Sequence, residues 1–146
     1  MRLLIPSFLN ILVFENLQYK VADFGEAKEL TKNKQMNTLR GTEMFMSPLL
    51  FEALKYNIYD ITHNAYKSDV YSLGLCLIYA ISGNIRLINE FRNVRDDKQT
   101  LFLIKKIVNS NYNNKLIILL SKMLELKEEK RPDFIQLEAY FKGLFC

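Results

Sequence analysis

The stretch "KVADFGEAK", residues 20–28, ends a strand-like run on Asp23-Phe24-Gly25. A carboxylate at such a position can hold a hard divalent cation, and through it a phosphate. An aspartate of this kind does not work alone, so its partners must be sought elsewhere in the chain. Three further stretches with chemical character follow in order: "GTEMFMSP" at 41–48, "KSDVYSLG" at 67–74 and "KRPD" at 130–133. The single histidine, His63 in "THNAY", reads as a surface loop residue. Cys76 lies inside the apolar run "LGLCLIYAI" and reads as a small core residue, far from Cys146.

The elements that must position these groups are legible in outline. "ILVF" (11–14) and "QYKVA" (18–22) flank Glu15-Asn16-Leu17 and predict a β-hairpin that delivers the chain to Asp23. Residues 26–47 show little periodicity and read as a long loop, which in a compact domain is usually functional. "LLFEALK" is a short amphipathic helix, "YNIYDITHNAY" is irregular, and the tyrosines of 56–66 read as packing. "SDVYSLGLCLIYAISG" predicts a central buried helix over Ser68–Ser82, opened by Ser68-Asp69 and stopped by Gly83. Its apolar residues lie on most faces, so burial nearly all round is expected. "KQTLFLIKKIVN" and "NKLIILLSKMLEL" predict two more helices. The last helix starts in "RPDFIQLEAYFKGL", with Asp133 and Gln136 as a capping box and Phe134, Leu137, Phe141 and Leu144 on its inner face.

Composition fits one globular domain: 146 residues, 49% hydrophobic and 25% charged. The net charge of +4 is mild and dispersed, which suits a solvated surface better than a nucleic-acid groove. No apolar run approaches the roughly 20 residues that a membrane span needs. "MRLLIPSFLNILVF" is interrupted by Pro6 and Asn10, with no small-residue cleavage site after it. The expectation is a cytoplasmic protein in a reducing compartment, with neither nucleic-acid nor membrane partners.

The four motifs, in this order and at these gaps, resemble the C-terminal lobe of the eukaryotic protein kinases. The expected fold is therefore mainly α: a protein-kinase-like C-lobe over 10–146, with a short β-hairpin at its N-terminal edge. Residues 1–9 are left unmatched. The resemblance implies that Asp23 coordinates Mg²⁺ on the ATP phosphates, that Phe24 packs inward and that Gly25 lets the backbone turn. Asn10, thirteen residues before Asp23, takes the place of the catalytic-loop asparagine that holds a second metal ion. Read alone it is a turn residue beside a strand. Residues 26–47 take the place of the activation loop. Thr31 and Thr38 are its candidate phosphosites, or plain loop residues, and Arg40 is the one arginine nearby in sequence. Thr42 resembles the threonine of the substrate-binding loop in Ser/Thr kinases. Asp69 would cap the central helix, hydrogen-bond the catalytic-loop backbone, or do both.

The pattern also breaks. With Asn10 as the anchor, the family's His, Arg, Asp and Lys fall on Leu3, Leu4, Ile5 and Ser7, none of which can act as a base or steady a phosphoryl group. The five glycines, Gly25, Gly41, Gly74, Gly83 and Gly143, form no phosphate loop. The glutamate that the family pairs with the arginine of "KRPD" is replaced by Leu49. Arg131 is then either more exposed than usual or paired with Glu52, three residues on. The expected protein is a truncated Ser/Thr kinase domain that binds Mg-ATP weakly or not at all. The alternatives are a non-catalytic module that binds a protein substrate, a regulator or a separate N-lobe, and a purely structural helical domain.

Overall fold

The structure, a computed structural model, describes residues 2–3, 10–22, 28–29, 36–38, 42–108 and 114–145. Of residues 2, 3, 13, 17, 28, 29 and 36–38 only the backbone is described. The strands are β1 (Arg2–Leu3), β2 (Ile11–Phe14), β3 (Gln18–Val21), β4 (Lys28–Glu29), β5 (Met36–Thr38) and β6 (Asp60–Thr62). The helices are α1 (Pro48–Lys55), α2 (Ala65–Ser82), α3 (Ile85–Glu90), α4 (Asp97–Ile107), α5 (Asn114–Met123) and α6 (Phe134–Phe145). The fold is mostly helical, as the sequence predicts.

The hairpin forms as expected. β2 and β3 pair antiparallel from Ile11 opposite Val21 to Phe14 opposite Gln18. Asn16 makes the turn at φ 64°, a left-handed conformation that asparagine tolerates better than most residues. Two further antiparallel pairs, β1 with β4 and β5 with β6, were not foreseen. β4 and β5 fall inside the stretch read as one long loop, and β6 inside the stretch read as irregular. These strands are two or three residues long, too short to show alternation, so tertiary pairing decides them.

α2 is the axis of the helical part. It begins at Ala65 rather than at Ser68, because the Asn64 side chain accepts from the Lys67 N–H (3.2 Å) and so caps it first. Asp69 is therefore not a cap. It lies in the second turn, 3% exposed. Val70, Leu75, Cys76 and Ile78 are fully enclosed, whereas Ala80 and Ile81 near the C-terminal end reach solvent. The helix ends as predicted at Gly83, with φ 60° and its N–H on the Tyr79 carbonyl. Gly74 lets α2 and the end of α5 approach closely. A Cβ there would stand 2.9 Å from Leu124 Cδ2 and 3.2 Å from Met123 Cβ.

α1 ends in a Schellman turn, with Ile58 N–H on Ala53 O (2.8 Å), Asn57 N–H on Leu54 O (3.1 Å) and Asn57 left-handed. The turn sends the chain into β6. Tyr56 and Tyr59 emerge there 61% and 59% exposed, not packed as expected, because the turn throws their rings outward. His63 is the reverse case: 9% exposed, with Nδ1 3.4 Å from the Ile61 carbonyl, it is buried where a surface residue was expected. The α6 capping box forms, Gln136 N–H on Asp133 Oδ1 (2.9 Å) and Asp133 N–H on Gln136 Oε1 (3.0 Å). On its expected inner face Leu137 is buried. Phe141 instead lies half-exposed, stacked on Phe145 with ring centroids 4.9 Å apart.

Candidate functional site

The turn Glu43–Phe45 and the start of α1 lie on α2, and buried hydroxyls hold them there. The Ser72 hydroxyl lies within donor reach of the Phe45 carbonyl (2.7 Å) and of the Ser68 carbonyl (3.1 Å). Ser47 Oγ donates to Ser68 Oγ at 3.2 Å. Ser47, Ser68 and Ser72 are each at most 1% exposed, so every one of these bonds is made in low dielectric. Thr42 caps the turn from its exposed end, its carbonyl accepting from the Phe45 N–H at 2.9 Å. The segment 42–47 is thus a rigid rim with Thr42 facing solvent. Sequence reasoning missed the serines. Their signal is a pair of hydroxyls at i and i+4, Ser68 and Ser72, within an apolar helix.

Arg131 lies against the first turns of α2 and corrects the sequence reading. It is neither exposed nor paired with Glu52: it is 1% exposed, and Glu52 lies on the surface. Its Nε and Nη2 donate to the Glu125 carbonyl (2.9 and 2.8 Å), Nη2 also to the Leu126 carbonyl (3.2 Å), and Nη1 to the Lys67 carbonyl (3.0 Å). Its guanidinium lies 4.8 Å from the Tyr71 ring centroid. Backbone carbonyls and an aromatic face replace the carboxylate, because the planar fork of five N–H donors can serve three loop carbonyls at once. Burial holds Arg131 down to about 10, still charged at neutral pH. Burial also pushes the Tyr71 hydroxyl up to about 12, against the pull of Arg131 and Arg92.

A second arginine, Arg92, also acts on Tyr71. Its guanidinium lies 4.1 Å from the Phe51 ring centroid, and Nη2 donates to the Glu43 carbonyl in the rim. Burial lowers its pKa. Beside it opens a groove of about 340 Å³ between α1 and residues 91–94, walled by Phe51, Tyr56 and Tyr71, with Glu52 and Lys55 at its edge.

On the hairpin side, the Ala22 N–H donates to the Asn10 carbonyl at 2.7 Å, so the hairpin sets half-buried Asn10 opposite the residue that precedes Asp23. Asp23, Phe24, Gly25, Thr31 and Ile5 lie outside the described residues, and Thr38, in β5 opposite Asp60, has only its backbone described. An asparagine amide oxygen and an aspartate carboxylate are the hard oxygen donors that Mg²⁺ takes. Among the described residues no three His, Cys, Asp or Glu side chains gather as a metal site, and no helix is long and apolar enough to cross a membrane.

A helical lobe thus holds a short rim against a buried central helix. The family model of the protein kinase domain matches residues 8–140, and the chain belongs to that family. It is similar to serine/threonine-protein kinase nekl-2 of Caenorhabditis elegans, 31% identical over 125 residues, 81% of this chain and 30% of that protein. The probable serine/threonine-protein kinase nek2 of Dictyostelium discoideum is 31% identical over 134 residues, 90% of this chain and 29% of its own length. The serine/threonine-protein kinase STE7 homolog of Candida albicans is 40% identical over 75 residues, 51% of this chain and 11% of its own length. The chain thus spans less than a third of the length of each of these relatives.

Proposed function

We propose that these residues form the substrate side of a Ser/Thr protein kinase domain, whose chemistry is transfer of the ATP γ-phosphoryl group to a protein hydroxyl. The observation that carries this reading is the rim: Thr42 exposed at the lip of a segment locked to α2 through Ser72 and Ser47. A rigid rim positions an incoming hydroxyl without ordering cost at the moment of reaction. Asn10 and Asp23 would hold Mg²⁺, which neutralises phosphate charge when bound. On the protein's side Asn10 is held in place by the hairpin and Thr42 faces the substrate.

Catalysis needs a base that Leu3, Leu4, Ile5 and Ser7 do not supply. The 146-residue chain incubated with Mg-ATP and casein is therefore expected to transfer no phosphate, and transfer that Asp23→Ala abolishes would refute this. A second reading, a non-catalytic interaction module, is favoured by Leu12, Phe14, Tyr19 and Val21, which the hairpin leaves exposed. A protein partner, whether substrate, regulator or separate N-lobe, would cover that surface. Under either reading a cytoplasmic location is proposed.

A further inference from the structure

The groove beside Arg92 is not used by the proposed chemistry, and its lining has a definite character. Phe51 from α1 and Phe91 from the end of α3 supply apolar walls, while Tyr56 overhangs the mouth. Arg92 lines the groove too, its guanidinium 4.1 Å from the Phe51 ring centroid. Arg92 is in neither of the ion pairs found among the described residues, Lys106–Glu90 and Lys142–Glu138, and the nearby Glu43 carboxylate acts on it electrostatically. Its one hydrogen bond there is from Nη2 to the Glu43 carbonyl, which leaves most of the fork without a protein partner. Lys55 adds a second cation, its ammonium 5.7 Å from the Tyr56 ring centroid, and Glu52 offsets one positive charge at the same edge.

A half-buried guanidinium, oriented by an aromatic ring and short of acceptors, is a carboxylate receptor in the making. The volume of about 340 Å³ stands at the low end for a ligand pocket, enough for a side chain or two rather than a large cofactor. We infer that this groove docks an acidic peptide segment of a partner protein, with a Glu or Asp carboxylate on Arg92 and an adjacent aromatic side chain between Phe51 and Tyr56. Because Arg92 also holds the Glu43 carbonyl, the docked carboxylate pulls on the same guanidinium that braces the rim. Docking therefore reaches the segment 42–46.

The test uses the 146-residue chain and needs no phosphoryl transfer, so it stands or falls apart from the proposed activity. A fluorescein-labelled peptide Gly-Glu-Phe-Glu-Phe-Gly is titrated by anisotropy beside its Gly-Gln-Phe-Gln-Phe-Gly counterpart. The acidic peptide is expected to bind at least about tenfold more tightly, with affinity falling as salt rises. Arg92→Gln should remove that preference, Arg92→Lys should keep part of it, and Lys55→Gln, at an exposed position, should weaken it without touching the fold. Amide resonances of Thr42–Met46 should shift on titration. Equal binding of the two peptides, or an acid preference that survives Arg92→Gln, overturns the proposal. Self-association that Arg92→Gln abolishes, without peptide binding, overturns it in favour of a second copy of the chain.

Discussion

Replacing Arg131 with methionine tests the carbonyl cage directly. Methionine keeps an apolar stem against Tyr71 but strips the donors from the carbonyls of Glu125, Leu126 and Lys67. Hydrogen bonds from a charged group contribute about 1.5–3 kcal/mol each, so losing its bonds to three carbonyls costs about 5–9 kcal/mol. Removing a desolvated cation, whose cost the Glu128, Glu125 and Glu129 carboxylates only partly offset, returns several kcal/mol of that loss. The net expectation is a destabilisation of about 2–4 kcal/mol, or about 4–16 °C in Tm for a chain of this length. Urea unfolding should show the midpoint falling at constant m. Arg131→Lys should recover less than half, since one ammonium cannot reach carbonyls on both sides of the site. Glu52→Gln should stay within about 0.5 kcal/mol of wild type and add independently to Arg131→Met. If Arg131→Met costs less than about 0.5 kcal/mol, or the two substitutions couple by more than about 1 kcal/mol, the cage is not what holds Arg131.

Other expectations follow from the same contacts. Gly74→Ala gains up to about 1 kcal/mol of helix propensity but drives a methyl into Leu124 and Met123. Overpacking costs about 1–3 kcal/mol, so Tm should fall, and a rise would show that α2 and α5 can separate freely. Cys76, buried and with its thiol pushed up to about 12 by desolvation, should resist a disulfide reagent in the folded chain and react at once in urea. Glu125 has its pKa raised, first by burial and then by Asp97 beside it. A carboxyl with a raised folded pKa contributes stability that is present below its unfolded pKa and lost as pH rises through the folded value. Glu125→Gln should therefore gain on wild type as pH rises above the ordinary carboxylate range, and an unchanged difference across that rise would count against the raised pKa.

Much of this chain is written locally. The hairpin at 11–21 follows from strand-forming runs about a turn, the end of α2 from Gly83, and the capping box of α6 from Asp133 and Gln136. The resemblance to the kinases is carried in the sequence by four short motifs in order, and the family model matches residues 8–140. What the sequence alone misjudged were questions of partnership. For Arg131 the sequence leaves exposure or a pair with Glu52, but carbonyls from residues 67, 125 and 126 converge on it only once α2 and the turn after α5 have packed. His63 is buried and Tyr56 and Tyr59 are exposed, the reverse of the sequence reading, because burial is set by the packing of the chain after α1 rather than by residue type. β5 and β6 exist because two segments more than twenty residues apart meet. Asn64 outcompetes Ser68 as the cap because the backbone entering α2 presents its side chain to the Lys67 N–H first. Local chemistry decides which element forms, and long-range packing decides which acceptor a donor finds, since a buried polar group takes whatever partner the assembled fold brings within reach.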